Sequence, residues 1–81
     1  MKRDEIFSAL KSNLRAEIKE LGSSTIRETD TPRELGGHSL KVMEAITSTM
    51  RGLGISVSRD ELLKTRNLGE VLDLFERASH R

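Results

Sequence analysis

Eighty-one residues carry fourteen basic and thirteen acidic side chains, 35% hydrophobic residues, two phenylalanines as the only aromatics, and no cysteine. A chain of this size makes one domain, residues 1–81, whose core must come from Leu, Ile, Val, Met and Ala, which favours a small helical bundle over a sandwich or barrel. The composition excludes a disulfide framework and thiolate chemistry from the chain itself, and the even spread of charge excludes a phosphate-backbone footprint. No apolar run approaches the roughly 20 residues that span a bilayer, and Met1–Glu5 leads into an amphipathic stretch rather than a signal peptide. The expectation is a cytoplasmic protein with neither a nucleic-acid nor a membrane partner.

In chain order, Ile6, Leu10, Leu14, Ile18 and Leu21 recur at helical spacing among charged residues, with Phe7 beside the first. Asp4 and Glu5 suit a first turn and Gly22 a position just past the end, so the first helix is predicted from Lys2 or Arg3 to Leu21. Gly22 to His38 reads as one long loop, rich in turn residues, with Ile26 and Leu35 as its pegs into the core. Loops of that length in compact domains usually have a functional role. The helical pattern returns at Ser39 with an inward face of Val42, Ala45, Ile46 and Met50, and Gly52 and Gly54 are expected to end it.

Ile55–Val57 alternates like a strand but has no second strand to pair with, so it is read as a buried extended connection. Ser58 with Glu61 has the spacing of a capping box for a short third helix. Asn67 can cap the last helix, whose inward face is Leu68, Val71, Leu72 and Phe75. The predicted fold is all-α: three main helices plus one short helix, with a long loop between the first and second.

Catalysis finds little support. His38 and His80 are far apart, no pair has metal-ligand spacing, and Glu17/Glu20 and Asp73/Glu76 fall where solvated helix faces are expected. A histidine adjacent to its serine is poorly placed for a triad. Neither catalytic residues nor metal ligands are predicted.

Attention falls on "ELGGHSLKVM", Glu34 to Met43. Taken alone, Ser39 before a helical run is a cap, Gly36–Gly37 a loop needing unusual backbone angles, and His38 a surface residue. The whole string is more specific. "LGGHSL" followed by an amphipathic helix resembles the core motif of the phosphopantetheine-binding carrier proteins, particularly the thiolation (peptidyl carrier) domains of nonribosomal peptide synthesis. The likeness covers essentially the whole chain, through "LGISVSRDELLK" and "NLGEVLDLF" in the family's order.

The resemblance implies a bundle of acyl-carrier-protein type. It also implies 4′-phosphopantetheine, donated by coenzyme A, on the hydroxyl of Ser39, with Gly36, Gly37 and His38 shaping the approach of a phosphopantetheinyl transferase. An acyl or aminoacyl group would travel as a thioester on that arm, so the working thiol comes with the cofactor. The partners implied are an adenylating or acyl-transferring loading enzyme and downstream synthase, condensing or tailoring enzymes. Leu40 and Met43 match the family's partner-facing positions, Thr47 continues their stripe along the helix, and Lys41 is a further partner contact.

Two departures refine this. His38 stands where carriers of fatty-acid synthesis and many of polyketide synthesis have aspartate, and Ser39–Arg51 holds Lys41 and Arg51 against Glu44 alone. Steering toward basic fatty-acid enzymes is therefore weak. The aromatics usual ahead of "LGGHSL" in thiolation domains are replaced by Pro32, Arg33 and Glu34. The expected function is a discrete, monomeric carrier in nonribosomal peptide or hybrid secondary metabolism. The alternatives are an acyl carrier of polyketide or fatty-acid synthesis, and an unmodified helical interaction module in which Ser39 only caps.

Overall fold

The computed structural model describes residues 1–37 and 39–79. It contains four α-helices, α1 (Arg3–Glu17), α2 (Ser39–Leu53), α3 (Arg59–Leu63) and α4 (Leu68–Ser79), and no strand among the described residues. The predicted all-α bundle is what forms, with α1 packed chiefly on α2 and secondarily on α4.

The helix starts follow from local chemistry. The Lys2 amide donates to Glu5 Oε1 (3.0 Å), giving α1 a carboxylate at its positive end. Ile6, Leu10 and Leu14 are buried without remainder. The helix stops at Glu17, short of the predicted Leu21. Ile18 leaves helical geometry while staying buried, and Lys19–Leu21 form a single 3-10 turn closed by Gly22 at φ +52°. The reason lies in the returning chain: Arg15 donates to the carbonyls of Gly22 (3.3 Å) and Ser24 (2.9 Å), folding the loop back over the last turn.

The second helix runs two residues past Arg51, because only Gly54 adopts the left-handed conformation that ends it (φ +68°), while Gly52 stays helical. The Ile55 amide reaches back to the Met50 carbonyl (2.9 Å), the long bond of a Schellman ending. Val42, Ala45 and Ile46 are buried and Met50 half-buried, as predicted. Thr49, not foreseen as core, is buried too. Its hydroxyl donates to the Ala45 carbonyl (2.8 Å) and accepts from Asn13 Nδ2 (2.9 Å), which satisfies it inside. Of the connection Ile55–Val57, expected to be buried, Ile55 is buried and Val57 half-buried, but Ser56 is exposed. Ser58 caps α3 by accepting from the Glu61 amide (3.2 Å), but the reciprocal half of a capping box is missing: the Ser58 hydroxyl instead donates to the Glu61 carboxylate (3.4 Å).

The long loop is held by backbone. The first two amides of α4, Leu68 and Gly69, donate to the carbonyls of Asp30 (3.1 Å) and Glu28 (2.8 Å), and the third, Glu70, to the Asn67 side chain (3.0 Å). The loop thus supplies two of the partners that a helix N-terminus lacks. A Cβ on Gly69 would meet Asn67 Oδ1 at 3.3 Å, a tight contact, and the Glu28 carbonyl oxygen at 3.4 Å, an ordinary one. Ile26 and Leu35 are buried as predicted and pin the loop to the shared core.

Arg3 completes the attachment. Its guanidinium donates to both Glu28 carboxylate oxygens (2.7 Å at the shortest), to Asp73 (2.8 Å), to Glu76 and to the Gly69 carbonyl (3.0 Å). Asp73 is exposed, as expected of a solvated face, and Glu76 is half-buried; both nevertheless reach Arg3 at the start of α1. Arg3 thus makes ion pairs with Glu28, Asp73 and Glu76 together.

Arg3→Gln should lower unfolding stability by about 1 kcal/mol in a denaturant titration, because the network is part-exposed and several pairs are lost together. Hydrogen exchange should quicken most at Leu68 and Gly69. The Arg3 guanidinium, chiefly through its hydrogen bond, holds the Glu28 carboxyl below the usual carboxylate range. A depressed carboxylate stabilises the fold above its unfolded pKa, and that contribution disappears as pH falls through the lowered value. Thermal melts should therefore show a shallower acid-side decline for Glu28→Gln than for the parent.

Candidate functional site

The approach to α2 is built by one helical turn in the loop. Leu35 donates to Thr31 (3.1 Å), Gly36 to Arg33 (3.1 Å) and Gly37 to Pro32 (2.9 Å), each amide to a backbone carbonyl. Gly36 and Gly37 then take φ values of +96° and +74°, which β-carbon-bearing residues adopt at a penalty. Apart from its neighbours in the chain, no atom lies within 4 Å of where a Gly37 Cβ would be. These glycines are required by backbone angle, and the space beside Gly37 is open to an approaching molecule. His38, predicted to shape that approach, lies outside the described residues.

Ser39 is the first residue of α2 and is exposed. No acidic side chain occupies the first turn of α2 to neutralise its positive end.

Ser39 lines a cavity of about 410 Å³ between α2, α3 and the start of α4. The apolar wall is made by Val42, Ile46, Leu62, Leu68 and Val71, all buried. Leu40, 70% exposed, and half-buried Met43 lie along the same opening. Met43 also packs against the core, so it belongs to both faces of α2. Thr47 is exposed, donates to the Met43 carbonyl (2.9 Å), and lines a shallower groove with Leu40, Met43, Arg51 and Arg59. Lys41 is exposed and lies outside both hollows. Of the predicted site residues, then, the fold brings Ser39, Leu40 and Met43 to one cavity, places Thr47 beside it and leaves Lys41 apart.

Three residues of this opening escaped sequence reasoning: Arg59, Leu63 (61% exposed) and Arg66. A signal existed for one of them. In a helix of five residues, adjacent Leu62 and Leu63 cannot both face inward, and Leu62 is the buried one. No group of three or more His, Cys, Asp or Glu capable of holding a metal occurs among the described residues. No described helix is long and apolar enough to cross a membrane.

The model of one protein family, described as the phosphopantetheine attachment site, matches residues 6–75. The chain belongs to the phosphopantetheine-binding carrier proteins. Members carry 4′-phosphopantetheine covalently. The chain is also 30% identical over 74 residues to the polyketide biosynthesis acyl-carrier-protein AcpK of Bacillus subtilis (strain 168), covering 91% of this chain and 90% of that one. Among solved structures it matches a chain of the curacin biosynthetic pathway HMG synthase in complex with acetyl donor-ACP. That match has a TM-score of 0.81 and 32% identity, covering 98% of this chain and 99% of the other.

The residues present fit the carrier's group. An exposed hydroxyl opens a helix with no acidic side chain in its first turn, beside a glycine that leaves room and a cavity that Ser39 itself lines. Because Ser39 is exposed, Ser39→Ala should change unfolding stability by less than about 0.5 kcal/mol, as for ordinary surface sites. Ser58→Ala, which removes an observed cap, should cost about 1 kcal/mol in the same titration.

Proposed function

We propose that this chain is a non-catalytic carrier of polyketide or hybrid assembly, with its arm on Ser39 and a short acyl group of the acetyl class as its cargo. The observation that carries this reading is Ser39 itself, exposed at the start of α2 and lining the cavity, within the stretch matched by the attachment-site family. In the loading step Ser39 Oγ attacks the phosphorus of coenzyme A on the pantetheine side. The phosphoanhydride bond breaks, adenosine 3′,5′-bisphosphate leaves, and the serine proton passes to a base of the transferase. The group supplies a thiol on a long flexible arm; the chain supplies tethering and recognition, and tethering lets partners bind weakly yet act efficiently.

The motif "LGGHSL" favoured a peptide or hybrid pathway. The polyketide assignment is supported by AcpK, whose name states that pathway, and the acetyl cargo by the carrier of the HMG synthase complex, named as an acetyl donor. Leu40, Met43 and Thr47 are the proposed contacts for partner enzymes, Lys41 standing to one side. Leu40 is an exposed leucine at the opening of a cavity that starts at the attachment serine, which suits insertion into a partner's apolar pocket.

Incubation with coenzyme A, magnesium and a broad-specificity phosphopantetheinyl transferase should add one phosphopantetheinyl group by intact mass, and none to Ser39→Ala. No addition to the folded protein by several transferases would overturn the reading. The holo protein should accept an acyl group from an acyltransferase with acetyl or malonyl donors, and none from adenylating enzymes with amino acids and ATP; the reverse would return it to the peptide pathway. Leu40→Glu should leave the melting temperature unchanged while raising the KM of the transferase for the carrier severalfold.

A further inference from the structure

We infer that Arg59 and Arg66 form the seat of the arm's phosphodiester, holding the root of the arm against the mouth of the cavity; this rests on Ser39 being the attachment point. Both arginines line the cavity that Ser39 lines, one opening α3 and the other preceding α4. Among the described residues neither guanidinium has a carboxylate or hydrogen-bond partner, whereas Arg3 and Arg15 are both engaged. The remaining polar lining is committed elsewhere. Thr65 donates to the Leu62 carbonyl (2.6 Å), Asn67 caps α4, and Asp30 accepts the Arg27 amide (2.9 Å). Glu70, which accepts the Arg66 backbone amide (2.8 Å), lines a different groove, with Glu61, Lys64 and Arg77.

The cavity lining holds two guanidinium groups against the single carboxylate of Asp30, beside a helix start with no acidic side chain in its first turn. One positive charge is left over, and a phosphodiester brings one negative charge. Its unesterified oxygens offer the acceptor geometry that a guanidinium fork fits. A seat there would direct the arm along the groove between α2 and α3 instead of leaving it to sample all directions from Ser39.

The test compares apo and holo protein, with loading first verified by mass. The Nε–H resonances of Arg59 and Arg66 should shift between apo and holo, while those of Arg51 and Arg77 stay in place. The phosphorus resonance of the folded holo protein should differ from that of the same protein unfolded in urea. In Arg59→Gln/Arg66→Gln it should move most of the way to the unfolded position, and Arg59→Lys/Arg66→Lys should retain part of the difference. All variants should melt near the parent temperature, since both side chains are exposed. If no loading occurs at all, the attachment reading has failed. If loading occurs and neither the arginine nor the phosphorus signals respond, the seat is overturned and the attachment reading stands. Slower loading of the Gln variants with an unchanged phosphorus resonance would also overturn the seat, assigning the arginines to transferase contact.

Discussion

The structure depends on how the first turn of α4 is satisfied. A helix start needs acceptors for its free amides, and here two come from the carbonyls of Glu28 and Asp30 in the loop. That exchange joins the loop, which has no helix of its own beyond a turn, to a helix that needed partners. Arg3 reinforces it from a third direction, binding the Glu28 side chain, the Gly69 carbonyl and two carboxylates of α4 at once. Its individual pairs are part-exposed and weak singly. Their value is geometric, because one planar group ties α1, the loop and α4 together.

The consequence reaches the site. Between Asp30, held against α4, and Leu35, buried in the core, the chain has little freedom, so the turn from Thr31 to Gly37 begins from a defined place. Two positive-φ glycines then redirect the chain into α2 and bring Ser39 to the same hollow as α3 and the start of α4. A carrier needs its attachment point exposed and its surroundings well defined. An exposed serine on a helix whose other face is buried against α1 meets both needs.

The surface around that serine is mixed in character. Leu40 and Leu63 project from two different helices toward one opening, where arginines are interspersed with apolar side chains. This differs from an acidic recognition helix of the fatty-acid type, and such a surface offers shape and apolar contact more than long-range attraction. Short α3 matters most here: five residues suffice to bury Leu62 and leave Leu63 and Arg59 at the site.

Much of this was legible along the chain. The stripe of Ile6, Leu10 and Leu14, the face of Leu68, Val71, Leu72 and Phe75, the pegs Ile26 and Leu35, and the caps Ser58 and Asn67 are local patterns. A 3.6-residue period or a cap is set by neighbours in sequence, and no distant contact is needed to read it. The attachment motif is likewise contiguous. What tertiary structure decided is everything that joins distant segments: Arg3 with Glu28 and Asp73, loop carbonyls on α4, Thr49 satisfied in the core by Asn13, and Arg59, Leu63 and Arg66 gathered around Ser39. Each pairs groups far apart in the chain, and such groups show no periodicity to one another until the helices have packed.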